Sequence, residues 1–164
     1  MSQLLPPHQS LLDKYRGRDF HPLYAASVTV RGGEAAHGRA SGIAISDDGE
    51  LFMELRLPVE LGGTGGGTNP EQLFAAGYAA CFHGALSMLA ERAGLSIPDA
   101  SVTATVTFGR DPVDGLFALK TDINIHLPNM AKAAAEELVR NTERLCPYSK
   151  MTQDGIQSTV GLTQ

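Results

Sequence analysis

Cysteine is scarce in this chain of 164 residues: there are two, Cys81 and Cys146. They stand 65 positions apart, so neither a CxxC redox pair nor a zinc knuckle fits. Of the five histidines, His8, His21 and His126 follow no metal-ligand spacing, and the chain holds no clustered metal-ligand motif. No Lys-Ser or Lys-Thr follows the glycines of Leu61-Gly62-Gly63-Thr64-Gly65-Gly66-Gly67, which excludes a phosphate loop. A nucleophile elbow is also missing. Lys and Arg number 13 against 18 Asp and Glu, net −5, and are scattered. That excludes a nucleic-acid surface, whose affinity rests on clustered basic groups. The start, Met1 to Pro22, is broken by Pro6, Pro7, His8, Asp13, Lys14, Arg16 and Arg18, unlike a signal peptide. No stretch reads as a transmembrane helix, so no membrane partner is expected. A cytoplasmic location follows, where a disulfide is more often catalytic or transient than structural. Redox or nucleophilic chemistry is left to the two cysteines.

What is present is an ordinary folding chain, 43% hydrophobic and 19% charged, large enough for a core of its own. Residues 1–22 read as a polar arm with a short helix near Leu11–Tyr15, and 23–164 as a single domain. Strands are expected near 23–31, 41–46 and 51–57, where Leu51, Met53, Leu55 and Leu57 alternate with Phe52, Glu54 and Arg56. Asp47-Asp48-Gly49 joins the last two as a hairpin. The glycine-rich run reads as a flexible loop, or one that lets backbone pass close to a site. Asn69-Pro70 opens a helix to about Ala93: Asn69 suits the cap, Pro70 the first turn, Gln72 a capping box, and Gly94 the exit. Leu73, Phe74, Tyr78, Phe82, Leu86 and Leu89 make it apolar nearly all round, so it is expected at the centre of the fold. Val102 to Phe108 and Phe117 to Leu127 alternate as two strands around Asp111–Gly115. A helix with Ala131, Ala134, Leu138, Thr142 and Leu145 on one face ends at Pro147. A last strand fits Ile156, Ser158, Val160 and Leu162. The order predicts an α+β fold with mainly antiparallel sheets.

Cys81 falls in the middle of the central helix. By residue type, three readings stand open: two inert core thiols, metal ligands with His83 or His37, or a reactive thiol with its resolving partner. The third has a physical requirement. Mid-helix, Cys81 gains little from its own helix dipole, which fades within a turn, and an apolar surrounding raises its pKa. A cation brought in by the fold is needed, and arginine stays charged when buried. Arg39 with Glu71 is the candidate pair; an ordinary loop arginine and a first-turn acid are the bland alternatives.

The run Thr68-Asn69-Pro70-Glu71-Gln72-Leu73-Phe74-Ala75-Ala76-Gly77-Tyr78-Ala79-Ala80-Cys81-Phe82, with Cys146-Pro147-Tyr148-Ser149, resembles the organic hydroperoxide resistance proteins of the Ohr/OsmC superfamily, most closely the Ohr branch. The Leu61-Gly62-Gly63 loop, Gly38-Arg39 and the cysteine spacing support it over roughly 23–164. The resemblance implies an OsmC-like fold and a thiol peroxidase for organic hydroperoxides. Cys81 matches the peroxidatic cysteine, Cys146 the resolving one, Glu71 the catalytic glutamate and Arg39 the catalytic arginine, with Arg31 as the alternative. It implies a Cys81 sulfenic acid, a Cys81–Cys146 disulfide, and reduction by a dithiol such as a lipoylated protein, with no cofactor. An OsmC-like peroxidase of broader range, and a non-catalytic binder of apolar ligands that senses peroxide, are the alternatives. The apolar Phe74, Tyr78, Phe82 and Met88 would favour fatty or aromatic peroxides. Glu143 stands where the family often has His, and Thr152-Gln153-Asp154 where it often has Thr-Arg-Gly.

Glu71 and Cys81 are ten positions apart on one expected helix, roughly 15 Å at about 1.5 Å rise per residue. One arginine does not readily touch both in a straight helix. Either the helix breaks, or the Arg39–Glu71 pair comes from a second subunit. An intertwined homodimer with shared sites is the expectation, as the resemblance also implies.

Overall fold

The computed structural model describes residues 13–33 and 40–163. Arg39 and His37 lie outside the described residues, as do Leu11 and Leu12 of the expected N-terminal helix. Asp13 to Ala26 form no helix or strand. The chain divides into two compact units, one ending at Thr68 and one beginning at Asn69.

The first unit holds an antiparallel sheet, β1 (Val28–Arg31), β2 (Ser41–Ser46) and β3 (Phe52–Arg56), in that order. Val28 pairs with Ser46 and Ile45 with Phe52. The β2–β3 hairpin turns where Asp47-Asp48-Gly49 signals it. Asp48 accepts from the Ser46 hydroxyl and the Glu50 amide, and Gly49 takes the left-handed backbone. The glycine-rich run is folded back along β3. A 3-10 turn at Val59–Leu61 leads into it, Gly65 N–H donates to Leu57 O at 3.0 Å, and Thr68 N–H to Glu54 O at 2.9 Å. Glycine is required at 63 because an added Cβ would fall 2.1 Å from the Leu57 carbonyl oxygen. The close backbone passage of this loop is thus against β3 and Leu57, the residue that follows it.

The second unit is built on α1 (Pro70–Arg92), β4 (Ser101–Arg110), β5 (Phe117–His126), α2 (Lys132–Leu145) and α3 (Pro147–Asp154). Asn69 caps α1, its side chain accepting from Gln72 N–H at 2.9 Å, with Pro70 in the first turn. At the far end Leu95 N–H reaches Ala90 O and Gly94 N–H reaches Glu91 O, with Gly94 at φ 68°. This is the doubly bonded exit that glycine permits. β4 and β5 pair in register from Ser101–His126 to Arg110–Phe117. Val102, Ala104, Ile123 and Ile125 face the core; Thr103, Thr105, Asp122 and Asn124 face outward. α1 lies on that apolar face, burying Tyr78, Phe82, Ala85, Leu86 and Ala90. Leu138 of α2 packs with Leu86 and Ala90 of α1 in the same core, and Thr142 of α2 is buried.

Three expectations need amendment. By length and composition α1 would pass as a membrane span, although no stretch reads as one on the basis above; its packing against β4, β5 and α2 is that of a core helix. Its burial is one-sided, since Ala76, Ala80, His83 and Gly84 stay exposed. The C-terminal end also differs. Pro147 ends α2 as expected, then serves as the first residue of a further helix, α3. Beyond Gly155 the alternating Ile156, Ser158, Val160 and Leu162 form no strand, and Ile156, Val160 and Leu162 are 70%, 100% and 87% exposed. Alternation specifies a strand only where an edge is available to pair with it.

Candidate active site

The turn from α2 into α3 brings the two cysteines together. Cys146 ends α2, where its N–H bonds Thr142 O at 2.8 Å, and caps α3 with extended backbone. Its side chain is completely buried, while Cys81 on α1 is partly exposed. The two sulfurs are 3.6 Å apart, unbonded, within reach of a thiol hydrogen bond. Tyr78, Phe82 and Ala85 surround them on α1, with Leu145 and Tyr148 from the other side. Residues 65 positions apart, which local patterning cannot pair, are thus in van der Waals contact.

Burial pushes the Cys81 thiol above its ordinary range; the backbone N–H of Tyr148 pulls it down, and the neighbouring Cys146 adds to the rise. Tyr148 is the second residue of α3, so its amide is one of the unpaired donors at a helix start. The expectation that only a cation could favour a Cys81 thiolate overlooked this donor. The signal was Pro147, a residue suited to opening a helix as well as to ending one.

Tyr148 also belongs to an aromatic group with Phe74 and Tyr78, ring centroids 5.8 to 6.2 Å apart. Tyr78 and Phe82 are 6% and 3% exposed, so of the four apolar neighbours assigned above to a substrate, these two belong to the core. Phe74 and Met88 remain half-buried on α1. Gln153 Nε2 donates to Glu143 Oε1 at 2.9 Å, joining α3 to α2 through one residue from each of the two places that depart from the family pattern.

Glu71 sits in the first turn of α1, half-buried, on the same unbroken helix as Cys81. A continuous helix keeps them roughly 15 Å apart along the axis. Arg31, the alternative arginine, ends β1 opposite Ile43. It lines an open groove of about 370 Å³ in the first unit with Gly33, Ser41, Glu54 and Arg56. Arg56 is paired there with Glu54 at 3.1 Å. Among the described residues no group of three or more His, Cys, Asp or Glu could hold a metal ion.

The match to known proteins follows the same residues. The family model for OsmC-like protein matches residues 63–161, from the glycine-rich loop through both cysteines. The chain belongs to the OsmC family. An organic hydroperoxide resistance protein of Xanthomonas axonopodis pv. citri is 43% identical over 142 residues, covering 85% of this chain and 94% of the relative. The organic hydroperoxide resistance protein OhrB of Bacillus subtilis is 39% identical over 134 residues, 82% of this chain and 93% of its own length. The crystal structure of OhrB superposes with a TM-score of 0.69 over 81% of this chain and 93% of that one. An organic hydroperoxide resistance protein of Legionella pneumophila, 38% identical, gives 0.72 over 82% and 93%. The α+β fold with antiparallel sheets and three helices is thus that of the Ohr proteins in the OsmC family.

Proposed function

We propose that this member of the OsmC family is a cysteine-based peroxidase that reduces organic hydroperoxides to alcohols. The observation that carries the reading is the 3.6 Å approach of two free thiols, one partly exposed and one sealed. The names of the Ohr relatives supply the substrate class. The Cys81 thiolate attacks the distal peroxide oxygen. The O–O bond breaks, the OH passes to sulfur as sulfenic acid, and the alkoxide takes a proton to leave as alcohol. Cys146 then condenses with Cys81, releasing water and forming the disulfide. A dithiol, in this reading a lipoylated protein, reopens it by exchange. Such cycling suits a reducing cytoplasm.

Arg39, oriented by Glu71, is the cation of this reading. The unbroken α1 removes the alternative of a kinked helix and so supports a homodimer in which the Arg39–Glu71 pair of one subunit serves the Cys81 of the other. The exposed face of α1 and the exposed apolar tail beyond Gly155 support the same arrangement. A heterodimer of Cys81→Ser and Glu71→Ala subunits is expected to recover part of the activity each homodimer lacks. No recovery in a verified heterodimer would reject shared sites.

The deciding experiment is turnover of cumene or fatty-acid hydroperoxide by reduced protein with a lipoyl dithiol, beside Cys81→Ser. Turnover is expected, with loss in the variant, and hydrogen peroxide is expected to be the poorer substrate. Equal use of both peroxides would favour a broader OsmC-like peroxidase. A second reading, a ligand binder that senses peroxide, draws on the burial that raises the Cys81 pKa. It would be favoured if thiols oxidise once without any dithiol restoring them.

A further inference from the structure

A set of hydroxyls ties α1 to α3 one turn away from the sulfurs. Tyr78 Oη donates to Ser149 Oγ at 3.1 Å, and both residues are buried. Thr152 Oγ1 lies 3.3 Å from the same Tyr78 Oη and donates to Ser149 O at 2.9 Å. Tyr78 precedes Cys81 by three residues on α1, and Ser149 follows Cys146 by three into α3. The bond therefore joins the two helices beside each sulfur. In so apolar a surrounding, hydroxyls are held firmly to their partners, because an unpaired one is costly.

Closing a disulfide here requires controlled movement. The sulfurs must pass from 3.6 Å to about 2.05 Å. Cys146 is held on one side by α2, through its N–H to Thr142 O, and on the other by α3, whose Lys150 N–H donates to Cys146 O at 3.1 Å. The start of α3 thus sets where the Cys146 sulfur points, and Ser149 and Thr152 are where α3 is held to α1.

We infer that Tyr78 is a positioning residue for closure of the Cys81–Cys146 bond. Its hydroxyl holds Ser149 and Thr152 so that the Cys146 sulfur approaches the Cys81 sulfur along a fixed line, and it takes no part in the attack of Cys81 on an oxidant. The inference rests on reading the two cysteines as a redox pair. In the step it serves, the Cys146 thiol loses its proton and its sulfur bonds the Cys81 sulfur of the sulfenic acid. The S–O bond breaks, and hydroxide leaves with that proton as water. The oxidising equivalent is the one already taken from the peroxide.

The test separates closure from attack without needing a peroxide. Reduced full-length protein is mixed with dithiobis(nitrobenzoate). Cys81 opens the reagent and releases one thionitrobenzoate; Cys146 then attacks the mixed disulfide on Cys81 and releases a second. In Tyr78→Phe the first release is expected at the wild-type rate and the second slowed about fivefold to tenfold, the scale of one lost buried hydrogen bond. Ser149→Ala, which removes the acceptor and leaves the ring, is expected to do the same and keeps the test open should Tyr78→Phe fail to fold. A second release at the wild-type rate in both variants, or an equal fall in both phases, overturns the inference. A parallel oxidation by excess cumene hydroperoxide without reductant, read by mass spectrometry, is expected to show more Cys81 sulfinic acid in Tyr78→Phe, because a sulfenic acid that closes slowly meets a second peroxide. If the wild type ignores the hydroperoxide while the second release still depends on Tyr78, the peroxidase reading falls and the positioning role stands.

Discussion

Cys81 experiences opposed influences whose balance is measurable. Burial and the neighbouring Cys146 favour the protonated thiol, and the Tyr148 N–H favours the thiolate. A raised thiol pKa means that the reactive anion appears only as pH climbs past the ordinary thiol range. The proposed Arg39 acts in the other direction, so Arg39→Ala is expected to move the inflection of Cys81 alkylation by iodoacetamide to higher pH. An unchanged profile would remove Arg39 from the thiolate's surroundings. The two cysteines were legible as the chemistry-bearing residues because so little else in the chain could fill that role. Their contact was not, since a pair 65 positions apart is set by tertiary packing. Nor was the Tyr148 amide, because a backbone donor has no letter of its own in the sequence.

Local rules of helices and turns account for most elements here. Asn69 and Pro70 start α1 where cap chemistry places the start, and Gly94 ends it. Asn69→Ala should therefore destabilise the protein by about 1 kcal/mol, the usual cost of a lost helix cap, measured by urea unfolding. A change well below that would mean the cap bond to Gln72 contributes little. The strands from Ser41 to Arg56 and from Ser101 to His126 follow their alternation and turn residues closely. The misses cluster after Cys146. Proline there signals a stop, which it is for α2, and the same residue opens α3, a second office that the letter alone does not distinguish. The alternation from Ile156 to Leu162 is real, but period-two patterning carries no information about which chain supplies the adjoining edge.

At the scale of the molecule, that tail bears on assembly. Ile156, Val160 and Leu162 are exposed, as are Phe20, Leu23 and Tyr24 near the other end. Under the proposed homodimer the particle mass is expected near twice the 17.4 kDa of the chain by analytical ultracentrifugation. Truncation after Gly155 is expected to shift it toward the monomer. A truncated chain that still sediments as a dimer would assign the contact elsewhere. The sealing of Cys146 has its own consequence for traffic in and out of the site. No reagent arriving from solvent can strike that sulfur first, because none of its surface is presented. Whatever opens a bond between the pair must land on Cys81 and expel Cys146, so both halves of a redox cycle would enter by one door and the inner thiol would meet the outside world only through its neighbour.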